Sequence, residues 1–73
     1  MKNHKMKAAR EIKQLSQQKL ADIVGVARQT ISSIELGKES ASMKLCISIC
    51  KALDATLDEL FWEDGEFENK ERL

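Results

Sequence analysis

The sequence contains no proline and no tyrosine, and only three glycines, two phenylalanines, one tryptophan and two cysteines in 73 residues. A chain with so few turn formers and aromatics is poor material for a meander of short strands. Its length allows one domain, because a chain this short buries only about 60% of its unfolded surface, and a second catalytic lobe is excluded. Apolar runs are a few residues long, far from the roughly 20 that a membrane-spanning helix needs. The Lys-rich start leads into no apolar stretch, so no signal peptide and no membrane association are expected. Cys46 and Cys50, in a chain without export features, suggest reduced thiols and a cytoplasmic setting. What is present, 42% hydrophobic and 33% charged residues, reads as a soluble all-α domain. So small a core without covalent or metal staples favours oligomerisation.

The formal net charge of zero hides an asymmetry. Residues 1–38 carry eight bases (Lys2, Lys5, Lys7, Arg10, Lys13, Lys19, Arg28, Lys38) and three acids (Glu11, Asp22, Glu35), a balance of +5. Residues 58–73 carry seven acids (Asp58, Glu59, Glu63, Asp64, Glu66, Glu68, Glu71) and two bases (Lys70, Arg72), a balance of −5. The split is compatible with a polyanion partner on the N-terminal half and an acidic tail turned away from it, or simply with two solvated faces.

Five short helices are expected, joined by turns of the lengths usual in a compact helical bundle. Residues 5–13 are good helix formers, with Met6 and Ala9 three apart on one face. Ser16 is an N-cap for a second helix over 17–24, in which Leu20, Ala21 and Val24 form the inward stripe and Gly25 the stop. A third helix over 28–36 turns Ile31 and Ile34 inward and ends at Gly37. Its β-branched residues lower helix propensity, so packing must hold it. Over 42–53 the residues Met43, Cys46, Ile49, Cys50 and Leu53 recur at spacings of three and four, the mark of a helix buried on one side. Asp54 and Ala55 break it, and Thr56 caps a short fifth helix over 57–62. The division is a domain over 1–62 and an acidic tail over 63–73, where Phe67 could fold back as an arm.

Little here supports catalysis, which needs a nucleophile and base, a metal, or a cofactor cradle. The one histidine, His4, falls in a loose N-terminal segment with no partner in sequence. Cys46 and Cys50 share a helix face, but two ligands are too few for a closed metal site and both lie on the apolar stripe. The glycines are isolated helix stops, so no phosphate-cradling loop exists and no cofactor or metal is expected.

The remaining constellation is a helix over 17–24, a turn at Gly25-Val26-Ala27, and a helix over 28–36. A three- to four-residue turn containing glycine can hold two such helices near a right angle, with one face of the second projecting into solvent. Setting aside Ile31, Ile34 and the methyl of Thr30 leaves Arg28, Gln29, Ser32 and Ser33 outward. These suit the major groove of double-stranded DNA: Arg pairs with guanine O6 and N7, Gln with adenine N6 and N7, each worth roughly 1 to 3 kcal/mol of discrimination. An ordinary polar helix surface is the alternative on these features alone.

From about Met6 to Phe61 the sequence resembles the phage-repressor and Cro type of helix-turn-helix proteins, the XRE family. The matching run is Leu15-Ser16-Gln17, Leu20-Ala21, Gly25-Val26, Arg28-Gln29-Thr30-Ile31-Ser32, Ile34-Glu35 and Gly37-Lys38, followed by Leu57, Leu60 and Phe61. This combined spacing is far more specific than any cap or glycine within it. The resemblance implies a lambda-repressor-like five-helix domain with residues 28–36 as recognition helix and Arg28, Gln29, Ser32 and Ser33 reading bases. It implies a phosphate clamp at Gln17 and further backbone contacts at Ser16, Thr30 and Lys38, which position the helix without reading sequence. Arg10 and Glu35 match a family ion pair tying helix one to the end of helix three, with direct phosphate contact the alternative role for Arg10. Ala27 departs from the usual Ser or Thr cap. Gln14 and Asp54 stand where glycines are common, and Leu36 stands where many members have a phosphate-contacting Asn.

The expected function is sequence-specific binding of double-stranded DNA by a homodimeric transcriptional repressor in a prokaryotic cytoplasm. One recognition helix reads about four or five base pairs, and two related by a twofold axis read half-sites roughly 34 Å apart. Phe61, Trp62 and Phe67 could close the monomer core or form the twofold interface. A division with Phe61 inward and Trp62 or Phe67 in the interface is favoured. The alternative function is an antitoxin-like or antirepressor module that binds a protein partner.

Overall fold

A computed structural model describes residues 3 to 62. In chain order they form α1 (His4–Ile12), α2 (Gln17–Val24), α3 (Arg28–Leu36), α4 (Met43–Leu53) and a fifth helical turn, α5 (Asp58–Trp62), with no strand among the described residues. None of these helices is long and apolar enough to cross a membrane.

Helix boundaries follow capping chemistry. Ser16 is extended, and its hydroxyl accepts the Lys19 N–H at 3.0 Å to open α2. Ser42 does the same for the Leu45 N–H at 3.1 Å to open α4. Gly25 (φ 81°) and Gly37 (φ 79°) close α2 and α3 in the left-handed conformation that glycine adopts without a Cβ penalty. Gln14 (φ 60°) and Asp54 (φ 58°) adopt that conformation with side chains present, the only non-glycine residues to do so among those described. Each costs about 1 to 2 kcal/mol, and the Asp is the better tolerated.

The core joins residues from all five elements: Met6, Leu20, Ala21, Ile31, Ile34, Cys46, Ile49, Cys50, Leu53, Leu60 and Phe61. Helix α2 packs on both α3 and α4, while α1 lies against α3 and α5. Met6, Leu20, Ile31 and Ile49 are fully buried, so the stripes expected at three- and four-residue spacing meet at one centre.

Three expectations need correction. Met43, expected on the buried stripe of α4, is half exposed, because it is the first residue after the Ser42 cap and the packed face begins one turn later at Cys46. The fifth helix is of the wide π type, closed from residue i to i+5. A reciprocal cap starts it: the Thr56 hydroxyl accepts the Glu59 N–H at 3.1 Å and a Glu59 carboxylate oxygen accepts the Thr56 N–H at 2.8 Å. Consecutive residues Leu60 and Phe61 both enter the core there, and five residues are too few for periodicity to separate π from α. Finally, His4 is not in a loose segment but opens α1. Asn3 before it is buried: its carboxamide oxygen accepts the Met6 N–H at 3.0 Å, its Nδ2 donates to the Leu60 carbonyl at 3.0 Å, and its backbone N–H donates to the Glu35 carbonyl at 2.9 Å.

Candidate nucleic-acid interface

The turn from α2 to α3 is closed by two N–H donors on one acceptor. The Gly25 and Val26 N–H groups both reach the Ala21 carbonyl, at 2.8 and 3.0 Å. Apart from its chain neighbours, no atom lies within 4 Å of where a Cβ on Gly25 would stand, so its backbone angle, not crowding, makes glycine the suitable residue. Val26 packs half-buried against the core, and Ala27, extended (ψ 151°), leads into α3 with no side-chain cap.

On α3, Ile31, Ile34 and Glu35 are buried, while Arg28 and Gln29 are exposed. Thr30, Ser32 and Ser33 are half-buried, so the outward face is widest at the N-terminal end and narrows along the helix. The Arg28 and Gln29 N–H groups at the start of α3 have neither an intrahelical acceptor nor a capping hydroxyl, which leaves a partial positive end beside the Arg28 charge, although the Thr30 N–H donates to the Ala27 carbonyl at 3.0 Å. Lys38 follows Gly37 with an exposed side chain, and its backbone N–H donates to the Ser33 carbonyl at 2.8 Å.

A hydrogen-bond chain links this face to α1. The Arg28 guanidinium donates to the Gln17 carboxamide oxygen at 3.2 Å, and the Gln17 Nε2 donates to Glu35 Oε1 at 3.0 Å. Arg10 grips Glu35 through two bonds, Nε to Oε2 at 2.8 Å and Nη2 to Oε1 at 3.2 Å, while its Nη1 donates to the Leu15 carbonyl at 2.8 Å. Both members of the ion pair are buried, with side-chain exposures of 9% and 5%. The hydrogen bond to Glu35 raises the Arg10 pKa further, partly opposed by burial, so the guanidinium is permanently charged. Arg10 is therefore spent inside the protein and presents no charge to a phosphate. No buried side-chain nitrogen or oxygen among the described residues lacks a partner.

The structure thus brings Gln17, Arg28, Glu35 and Arg10 into one network. Ser16 and Gln17 stand at the N-terminus of α2, where the N–H groups of Gln17 and Gln18 have no intrahelical acceptor. The Gln17 carboxamide is engaged at both ends. Phe61 is buried, but the Trp62 side chain, Phe67 and the acidic tail lie outside the described residues. Cys46 and Cys50 are buried and not joined to each other, and the Cys46 thiol donates to the Ala41 carbonyl at 3.7 Å; burial, and then the nearby Glu59 charge, push the Cys50 pKa up.

Asn3, His4 and Lys7 were not singled out as site residues by sequence reasoning, yet they line a groove shared with Gln17, Ser32, Glu35 and Leu36. The available signal was Asn3 itself, a strong N-cap residue three positions before Met6.

This arrangement, two capped short helices around a glycine turn with the second held by its apolar side, is matched across known proteins. The helix-turn-helix family matches residues 6–60. An uncharacterised HTH-type transcriptional regulator of Bacillus subtilis, YgzD, is 42% identical over 66 residues, covering 90% of this chain and 98% of that protein. Another from Methanocaldococcus jannaschii is 43% identical over 67 residues, covering 90% and 100%. Among solved structures, the restriction-modification controller protein C.AhdI from Aeromonas hydrophila superposes with a TM-score of 0.75 at 31% identity, covering 80% of this chain and 88% of that one. The chain belongs to the XRE-type helix-turn-helix family of transcriptional regulators.

Proposed function

We propose that this protein is a homodimeric repressor that reads an inverted-repeat operator in the major groove of double-stranded DNA. The observation that carries this reading is the exposed Arg28–Gln29 end of α3, uncapped and locked to the fold through Gln17, Glu35 and Arg10. Arg28 and Gln29 supply the bidentate groups suited to guanine and adenine, with Ser32 and Ser33 contributing shorter-range contacts. Ser16, Gln17, Thr30 and Lys38 contact the flanking phosphates and set register. On binding, the Gln17 Nε2 turns from Glu35 to a phosphate oxygen, and Arg28 separately exchanges the Gln17 carboxamide oxygen for a base edge.

In this proposal the twofold interface falls to Trp62 or Phe67, and duplex binding requires the acidic segment over 63–73 to be kept off the DNA, because its charge repels phosphate. The protein acts in a prokaryotic cytoplasm without a cofactor, and any regulation comes through abundance, proteolysis or a protein partner.

The test is selection of bound sequences from random duplex DNA at about 150 mM salt, where non-specific affinity is screened. Enrichment of an inverted repeat with half-site centres about 34 Å apart is the expected outcome. A folded protein that enriches no motif would overturn the reading and favour an antitoxin-like module that binds a protein.

A further inference from the structure

The groove lined by Asn3, His4, Lys7, Gln17, Ser32, Glu35 and Leu36 lies between the first turn of α1 and the second half of α3. Its volume of about 190 Å³ falls below the roughly 300 to 1,000 Å³ of small-molecule sites. Its chemistry is that of an anion site with one counted-out acid. The Glu35 carboxylate is neutralised by the two-bond grip of Arg10 and also takes the Gln17 Nε2. Lys7 and His4 are exposed, and neither belongs to that network. Leu36, half exposed, brings no polar side-chain atom to the rim.

We propose that His4 and Lys7 form a further phosphate-binding site for the DNA backbone, immediately beside the phosphate assigned to Gln17. The inference rests on the duplex-binding reading above and extends it to α1. If Ser32 faces base edges and Gln17 a phosphate, the sugar–phosphate strand that borders the major groove must pass over the residues between them and beyond. The groove sets Lys7 and His4 beside Gln17 and Ser32, within reach of such a strand. Lys7 contributes a point charge and His4 a ring N–H donor, so neither reads sequence.

A control lies on the same helix. Lys13 is also an exposed lysine of the α1 end, but it pairs with Asp54 at 3.7 Å and lines a different groove, against α4 and α5. Lys7→Gln and Lys13→Gln change net charge equally, so they separate a local phosphate contact from the general field of the protein.

The experiment measures duplex affinity on the selected operator from about 50 to about 200 mM salt, for the full chain and for Lys7→Gln, Lys13→Gln and His4→Phe. One lost phosphate contact lowers the log–log salt slope by about 0.9, which shrinks the affinity ratio across that fourfold salt range by about three- to fourfold. Lys7→Gln is expected to show this loss with an unchanged base preference, and Lys13→Gln to keep the original slope. His4→Phe is expected to weaken all duplexes alike. Equal slopes for the original chain and Lys7→Gln, or equal losses in both lysine variants, overturn the inference while leaving duplex binding intact. Absence of salt-dependent duplex binding in the original chain overturns the functional reading itself. Circular dichroism and thermal unfolding confirm that each exposed-site variant is folded.

Discussion

Helices α3 and α4 sit in one small core but are stabilised by opposite means. Helix α4 is capped and packed: Ser42 caps it, and it turns four residues, Cys46, Ile49, Cys50 and Leu53, into the interior. Helix α3 has no side-chain cap, three β-branched residues within it, and only Ile31 and Ile34 as deeply buried apolar anchors. Its third anchor is ionic, the Glu35 carboxylate held by Arg10 and Gln17. The difference follows from what each helix exposes. A helix that leaves Arg28 and Gln29 exposed has fewer positions left for packing, so tertiary contacts from α1 and α2 hold it instead.

The comparison can be broken most severely at the ionic anchor. Arg10→Ala strands the buried Glu35 carboxylate and is expected to cost about 3 to 5 kcal/mol, seen as a large fall in the urea midpoint. Replacing both partners, as in Arg10→Met with Glu35→Leu, is expected to recover most of that stability while removing the brace on Gln17. A double variant no more stable than Arg10→Ala would show that the network matters for more than desolvation. Next in size are the apolar anchors. Ile31→Ala and Ile49→Ala should each cost about 2 to 5 kcal/mol through the cavity left behind. Among the two, only the α3 change is expected to alter duplex affinity beyond its effect on the folded fraction.

Smaller effects sharpen the contrast at the caps. Ser42→Ala is expected to destabilise by about 1 kcal/mol and Ala27→Ser to stabilise by a similar amount, because one removes and the other restores a hydroxyl acceptor for first-turn N–H groups. Thermal midpoints moving in the same direction would refute the assignment of α3 as the uncapped helix. The smallest effect concerns the thiol of α4. Burial raises the Cys50 pKa, so the folded state binds that proton more tightly than the unfolded chain. Its contribution is complete below the ordinary thiol range, about 8.5, and declines as pH rises through and above it. Between about pH 8 and about pH 10 the thermal midpoint of the original chain should fall more steeply than that of Cys50→Ala, which starts lower for lack of packing volume. Parallel slopes would mean that other groups carry the alkaline loss.

Much of α2 and α3 was legible because their ends are written in local chemistry. Ser16 accepts a first-turn N–H, Gly25 and Gly37 take the left-handed angles, and the inward residues follow the helical period. The Arg10–Glu35 pair spans 25 positions, which no local pattern reveals, and was expected only through resemblance to a family. Asn3 was missed for a related reason: its cap on α1 is local, but its ties to Glu35 and Leu60 are not. The π geometry of α5 was beyond reach because one turn contains too little periodicity, and Met43 was misplaced because a stripe's spacing does not say where the neighbouring helix begins to cover it.

The sequence by itself determined that the chain is helical, where α2 and α3 begin and end, and which residues of α3 point away from the core, since capping and the 3.6-residue period act over a few positions. Only the tertiary structure decided that Arg10 is spent inside the protein, that Gln17 bridges Arg28 to Glu35, and that the first turn of α1 lies beside α3. Those outcomes depend on how separate helices dock around Met6, Leu20, Ile31 and Ile49, and burial is set by the whole set of contacts rather than by any one segment.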